Sequence, residues 1–136
     1  MEERQNRIIL CLGSNLDKEK NIELADRELR ARFDFIIFSE PVYTESIDCP
    51  IPSLFLNQVV FAYSPDGIED IQKDLKEIER LLGRKSQDKF SGYVPVDIDL
   101  LQWNEQILKP EDLNRPYVLT GIQSILSALP QLGLKE

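Results

Sequence analysis

Two carboxylates spaced by one residue, Asp97 and Asp99 in Val96-Asp97-Ile98-Asp99-Leu100-Leu101, carry the clearest chemical signal in the chain. Apolar residues alternate with the two acids, the period-two pattern of a half-buried strand. In that conformation both side chains leave one face, roughly 6.5–7 Å apart at a rise of ~3.3 Å per residue. Aspartate is depleted in strands, and like charges on one face repel, so the pair demands a counter-charge. A divalent cation with hard oxygen ligands is the usual one. Just upstream, Arg84, Lys85, Lys89 and Gly92 form a basic stretch. Acids beside such a stretch suggest a site for a polyphosphate with Mg²⁺. The plainer reading is a solvated pair balanced by salt bridges.

The bulk properties narrow the classes. The chain has 136 residues, 42% hydrophobic and 29% charged, with a formal net charge of −8. Those values fit one domain over residues 1–136 and argue against a general nucleic-acid surface. There is no histidine, which excludes His-based triads, imidazole acid–base catalysis and His metal ligands. Cys11 and Cys49 make neither a C-x-x-C motif nor a disulfide framework, so the expected compartment is a reducing cytoplasm. The apolar run Ile8 to Leu12 is too short for a signal peptide, and no stretch approaches the ~20 apolar residues of a membrane span. A monomer is the default expectation.

The elements that must position the acids follow in order. Ile8 to Leu12 reads as a buried strand closed by Gly13-Ser14-Asn15, and a helix starts near Asp17 with Ile22, Ala25 and Leu29 on one face. Phe33 to Phe38 reads as a second strand that continues toward Tyr43 past Pro41. Thr44 to Ser53 reads as a loop, and Leu54 to Tyr63 as a third strand with Asn57 as its polar oddity. Ile68, Ile71, Leu75, Ile78 and Leu82 give the best helical repeat, ended by Gly83. After the aspartate strand, Trp103 to Gln106 is a turn returning through Ile107 and Leu108. Leu113 to Pro116 reads as a loop and Thr120 to Leu129 as a short helix. The order β-α-β-β-α-β predicts an α+β, ferredoxin-like fold: a four-stranded antiparallel sheet, order 4-1-3-2, with helices on one face.

Several segments now form an ordered set across residues 8–130. They are Leu12-Gly13-Ser14-Asn15-Leu16, Tyr43-Thr44-Glu45, Phe55-Leu56-Asn57, Ile78-Glu79 with Gly83-Arg84, and the Asp97/Asp99 strand. The set resembles the 6-hydroxymethyl-7,8-dihydropterin pyrophosphokinase family of folate biosynthesis. That resemblance implies transfer of pyrophosphate from ATP to the pterin hydroxymethyl group with release of AMP. It implies two Mg²⁺ ions held by Asp97 and Asp99, ATP as co-substrate, and small-molecule partners rather than nucleic acid or membrane. Phe55 matches a pterin-stacking position and Asn57 a pterin hydrogen-bonding position. Thr44 and Glu45 match a pterin-contacting loop, and Gly13 the first substrate-lining loop. Glu79 matches an acidic position near the nucleotide, and Arg84 and Lys85 match phosphate contacts. Each has a structural counterpart: Phe55 suits a core equally well, Gly13 suits a turn, and Glu79 suits a solvated helix face.

The chain also departs from the family pattern. Where the family carries Trp-Gly-Pro-Arg before the aspartates, this chain has Ser91-Gly92-Tyr93-Val94. Where the family carries Pro-His and then Arg-Gly-Phe, this chain has Pro116-Tyr117 and Thr120-Gly121-Ile122. A triphosphate-facing Arg, a nucleotide-contacting His, a second Arg and a second stacking aromatic are thus replaced. Lys89, Arg84 and Arg115 are the cations that could take over, and Tyr93 the aromatic in place of Trp. Two readings follow: a divergent working enzyme, or a relative that keeps the fold and binds pterin, nucleotide or a partner without turnover.

Overall fold

The computed structural model describes residues 5–46, 52–85 and 91–129. Strand β1 (Asn6–Ser14) leads into helix α1 (Lys18–Arg32), then strands β2 (Phe35–Phe38), β3 (Val42–Glu45) and β4 (Leu54–Ser64). Helix α2 (Ile68–Leu81), strands β5 (Asp97–Trp103) and β6 (Gln106–Ile107), and helices α3 (Pro110–Leu113) and α4 (Pro116–Ala128) complete it. All strands join one antiparallel sheet in the order β2-β4-β1-β5-β6, with β3 also on β4. The architecture is α+β, with six strands where the sequence suggested four.

The two extra strands have separate causes. The expected second strand is broken into β2 and β3 on the same edge of β4. Phe38 pairs with Val60 and Val42 with Asn57, so the outer strand carries one residue more than its partner, a β-bulge. Ser39 fills the break: its amide donates to the Val59 carbonyl (2.8 Å), and its hydroxyl accepts the Val59 N–H (2.9 Å). Thr44 and Glu45 consequently lie in a strand and not in the loop that the sequence suggested. The sixth strand is the return of the turn after Trp103, where Asn104 takes the left-handed conformation at φ 51°.

Alternation in the strands divides the sheet into two faces. Ile8, Leu10, Leu12, Leu56, Val60, Ile98 and Leu100 pack against Ile22, Ala25 and Leu29 of α1 and Ile71, Leu75 and Ile78 of α2. Val59, Phe61 and Leu101 point the other way and meet Val118 and Ile125 of α4. The expected two helices on one face are α1 and α2, and α4 adds a further helix on the opposite face. That helix begins at Pro116, earlier than the sequence suggested, because proline is well suited to a first helical turn. Gly121 lets it sit close, since a Cβ there would lie 2.8 Å from Val59 Cγ2. Among the described residues no helix is long and apolar enough to cross a membrane.

Helix α2 ends in a Schellman motif. The Gly83 amide donates to the Arg80 carbonyl and the Arg84 amide to that of Glu79, with Gly83 at φ 99°. The glycine therefore fixes where Arg84 leaves the helix.

One polar contact in the first core is unfinished. Gln58 faces α1 and donates to the Ser39 carbonyl (3.0 Å), but its Oε1 and Asp26 Oδ1 are buried without hydrogen-bond partners. Burial pushes the Asp26 carboxyl up to about 6, against smaller pulls from Gln58 and Arg30. A carboxyl whose folded pKa exceeds its unfolded value of ~3.9 takes up a proton on folding. It therefore costs stability above the folded pKa and ceases to do so below the unfolded one. Asp26→Asn is expected to be more stable than wild type by about 1 kcal/mol near pH 8, after allowance for solvent screening, with the gap closing toward about pH 4.5. Denaturant unfolding across that pH range checks it, and a gap independent of pH would refute the assignment.

Candidate active site

The face that α4 only partly covers carries the site. Gly13 and Cys11 of β1, Phe55 and Asn57 of β4, and Asp97 and Asp99 of β5 are all at odd positions and so project from this face. With Thr44, Glu45, Asp112, Arg115, Pro116 and Tyr117 they line a cavity of about 280 Å³. Sequence segments more than eighty residues apart converge here because β1 lies between β4 and β5.

Close contacts organise the end of the cavity near β3. Asn57 Nδ2 donates to Thr44 Oγ1 (2.5 Å), leaving the amide edge turned toward the cavity. A Cβ on Gly13 would sit 3.1 Å from Asn57 Oδ1 and 3.6 Å from the Phe55 ring. Glycine at 13 thus leaves room for both side chains. The turn that follows secures the approach to β5. Asn15 donates to the Gly92 carbonyl (2.6 Å) and to Ser53 Oγ (3.1 Å), and it exchanges backbone and side-chain hydrogen bonds with Val94.

The acids are held by cations from outside the cavity. Arg84 Nη1 donates to Asp97 Oδ1 (2.5 Å) and to the Val96 carbonyl (3.3 Å), and lies 3.5 Å from Glu79 Oε2. Lys109 Nζ lies 3.3 Å from Asp99 Oδ1. Burial works against the Asp97 charge, but hydrogen bonds from Asp99 and Arg84 outweigh it and hold that carboxyl below the usual range. Asp99 is pushed up, by burial first and then by its bond to Asp97 and the negative charge there, with Lys109 opposing. The pair is thus built to be compensated, and its oxygens are hard donors of the kind that Mg²⁺ takes. Among the described residues no third acid, Cys or His joins them as a ligand group. Water and substrate oxygens would have to complete any ion's shell, as is usual for Mg²⁺.

The remaining candidates separate. Glu79 does not reach the cavity: its side chain is buried, accepts the Ile98 N–H (2.7 Å) and pairs with Lys76 (3.2 Å). It caps the edge of β5 that β6 leaves bare and orients Arg84. Arg115 does line the cavity, with Nε 3.0 Å from Asp112 Oδ1. Lys85 is exposed and away from the cavity lining, and Lys89 lies outside the described residues. Tyr93 is exposed, and Ile122 packs in the second core, so neither puts a ring into the cavity.

Lys109, Asp112, Tyr117 and Cys11 are lining or supporting groups that the sequence reading missed. Lys109 was within reach: a two-residue turn at Asn104-Glu105 pairs Gln102 with Ile107, which returns Lys109 to the level of Leu100, one residue from Asp99. Tyr117 Oη meets Cys11 Sγ at 3.8 Å. Burial pushes the Cys11 thiol up to about 12, so it stays a neutral wall group and no nucleophile.

The family model of 7,8-dihydro-6-hydroxymethylpterin-pyrophosphokinase matches residues 9–127, a span that contains every lining residue of this cavity. No curated protein matches the chain.

Glu79→Ala strands a buried N–H and removes a partner of Arg84, so it is expected to cost about 3 kcal/mol. Glu79→Gln, which can still accept from Ile98, should cost less. Urea unfolding measures both, and a loss below about 1 kcal/mol for the alanine variant would mean that this carboxylate does not secure β5.

Proposed function

The chain belongs to the 7,8-dihydro-6-hydroxymethylpterin-pyrophosphokinase family, and from that membership we propose that its cavity transfers pyrophosphate from ATP to 6-hydroxymethyl-7,8-dihydropterin. The family makes the chain a transferase of the pyrophosphokinase type in folate synthesis. The observation that carries the finer reading is the convergence of Asp97 and Asp99 with Phe55, Asn57 and Gly13 around one cavity. A flat heteroaromatic needs a π-face and in-plane hydrogen-bond partners, and Phe55 with the Asn57–Thr44 pair offers both. Glu45 borders the same end, at the rim.

The phosphate end falls to the opposite side. Among the described residues the cavity lining contains four acids, Glu45, Asp97, Asp99 and Asp112, against one cation, Arg115. A triphosphate enters such a space only with neutralising charge. Asp97 and Asp99 would hold the two Mg²⁺ ions of the family, whose contribution is to neutralise the triphosphate and align it with the acceptor. Arg84 positions Asp97, and Arg115 stands where it can meet phosphate oxygens. Lys85 and Lys89, the latter outside the described residues, are further candidate phosphate contacts. The acceptor hydroxyl attacks the β-phosphorus, the bond to the α-phosphate oxygen breaks, AMP leaves, and the hydroxyl proton passes to solvent. Orientation of the two substrates is the protein's main work in such a transfer. We assign the whole chain to one domain acting in the cytoplasm, and as a monomer.

A second reading is favoured by particular residues. Val94, Tyr117 and Ile122 stand where the family's Arg, His and stacking aromatic belong, and a relative that binds without turnover would carry such changes.

AMP release from ATP, Mg²⁺ and the pterin separates the readings. Wild type is expected to form AMP, and Asp97→Ala with Asp99→Ala to lose at least about 10³-fold in kcat/KM. ADP as the product would point to a different transferase. Pterin binding without AMP would establish the non-catalytic reading.

A further inference from the structure

The acids at the start of β5 carry their own counter-ions. Lys76, Arg84 and Lys109 are paired with Glu79, Asp97 and Asp99. The cations are held differently. Arg84 is bound at three points, to Asp97, the Val96 carbonyl and Glu79, and its side chain is 25% exposed. Lys109 has one acidic partner, Asp99, and its side chain is 45% exposed. Its backbone is anchored, since its amide donates to the Leu101 carbonyl (3.3 Å), but a flexible four-carbon stem carries the ammonium. A half-exposed lysine–carboxylate pair is worth little on its own and can be exchanged.

Resting on the pyrophosphokinase reading of this site, we propose that Lys109 is a tethered counter-ion: it occupies the Asp99 carboxylate in place of a metal and moves to a phosphate oxygen of the incoming nucleotide when the metal arrives. The consequence is coupled loading. A bare divalent ion meets an Asp99 already paired with Lys109 and must evict that lysine with nothing to receive the ammonium. A divalent ion arriving with a polyphosphate brings the new partner for the ammonium along with itself. The metal and the nucleotide each raise the affinity for the other, and by reciprocity the two factors are equal. Lys109 thereby supplies a phosphate contact to a site in which several family cations are substituted.

Binding of Mn²⁺, followed by the EPR signal of the free ion at pH 8, tests this without turnover. Wild type and Lys109→Met are titrated alone and with α,β-methylene-ATP, which cannot donate pyrophosphate. Lys109→Met is expected to bind Mn²⁺ alone about tenfold more tightly than wild type, because the competitor is gone. The gain in Mn²⁺ affinity on adding the analogue is expected to shrink by a similar factor, and Lys109→Arg to restore wild-type behaviour. If wild type binds Mn²⁺ with the analogue but Lys109→Met matches it in both titrations, the tethered counter-ion is overturned and the metal site stands. If wild type binds no Mn²⁺ under either condition, the metal reading of Asp97 and Asp99 falls, and this inference with it.

Discussion

Two carboxylates on one face of a strand, beside a third that is fully buried, form the constraint around which this end of the molecule is arranged. Like charges at neighbouring odd positions repel, and removing them from water adds a desolvation cost that only nearby cations can offset. The local structure consists largely of devices that deliver those cations. Gly83 turns the chain out of α2 so that Arg84 reaches Asp97. The Asn104 turn folds β6 back so that Lys109 reaches Asp99. Glu79 sits between, compensating Arg84 while closing the hydrogen bond that the bare edge of β5 would otherwise lack.

The sheet separates stability from chemistry by parity. Even positions of β1, β4 and β5 build the core with α1 and α2, and odd positions at the same ends of those strands face the cavity. A strand can therefore carry Asn57, Asp97 and Asp99 without breaching the main core, since its alternate residues remain apolar. Helix α4 covers only the other end of this second face, over Val59, Phe61 and Leu101. The cavity is the part of the face that α4 leaves open, bordered by Asp112 of α3 and by Pro116 and Tyr117 at the start of α4.

How legible this was depended on whether a feature is periodic or pairwise. The strands β1, β4 and β5 and helices α1 and α2 were readable because their apolar spacing repeats every two or every three to four residues. The β2–β3 break was not, because a bulge arises from one residue, Ser39, bonding to Val59 across the sheet. The start of α4 was misplaced because Pro116 marks a loop end and a helix start with equal ease. Asp97, Asp99, Asn57, Phe55, Thr44, Glu45 and Gly13, which the family resemblance singles out, and Arg115, a candidate replacement cation, line one cavity. Glu79 does not, since helical spacing places it on a face but cannot say that the face is pressed against Ile98.

Positive charge at the site need not be free to be useful. Of the residues that differ from the family pattern, Val94 stands in place of an Arg that would face the triphosphate and Tyr117 in place of a nucleotide-contacting His. The cations that remain in view, Arg84, Lys109 and Arg115, are each committed to a carboxylate, Asp97, Asp99 and Asp112. In an acidic protein, unpaired cations lining an empty cavity would attract any anion, whereas paired ones are held back until a substrate offers a better exchange. An ion pair is a modest interaction in partly exposed surroundings, so the exchange requires only that the incoming ligand bring both charges at once. A polyphosphate carrying divalent metal does so; a free phosphate or a free metal ion brings one. Selectivity for the complete ligand can therefore reside in the pairing itself, with fewer direct phosphate contacts than the family normally presents.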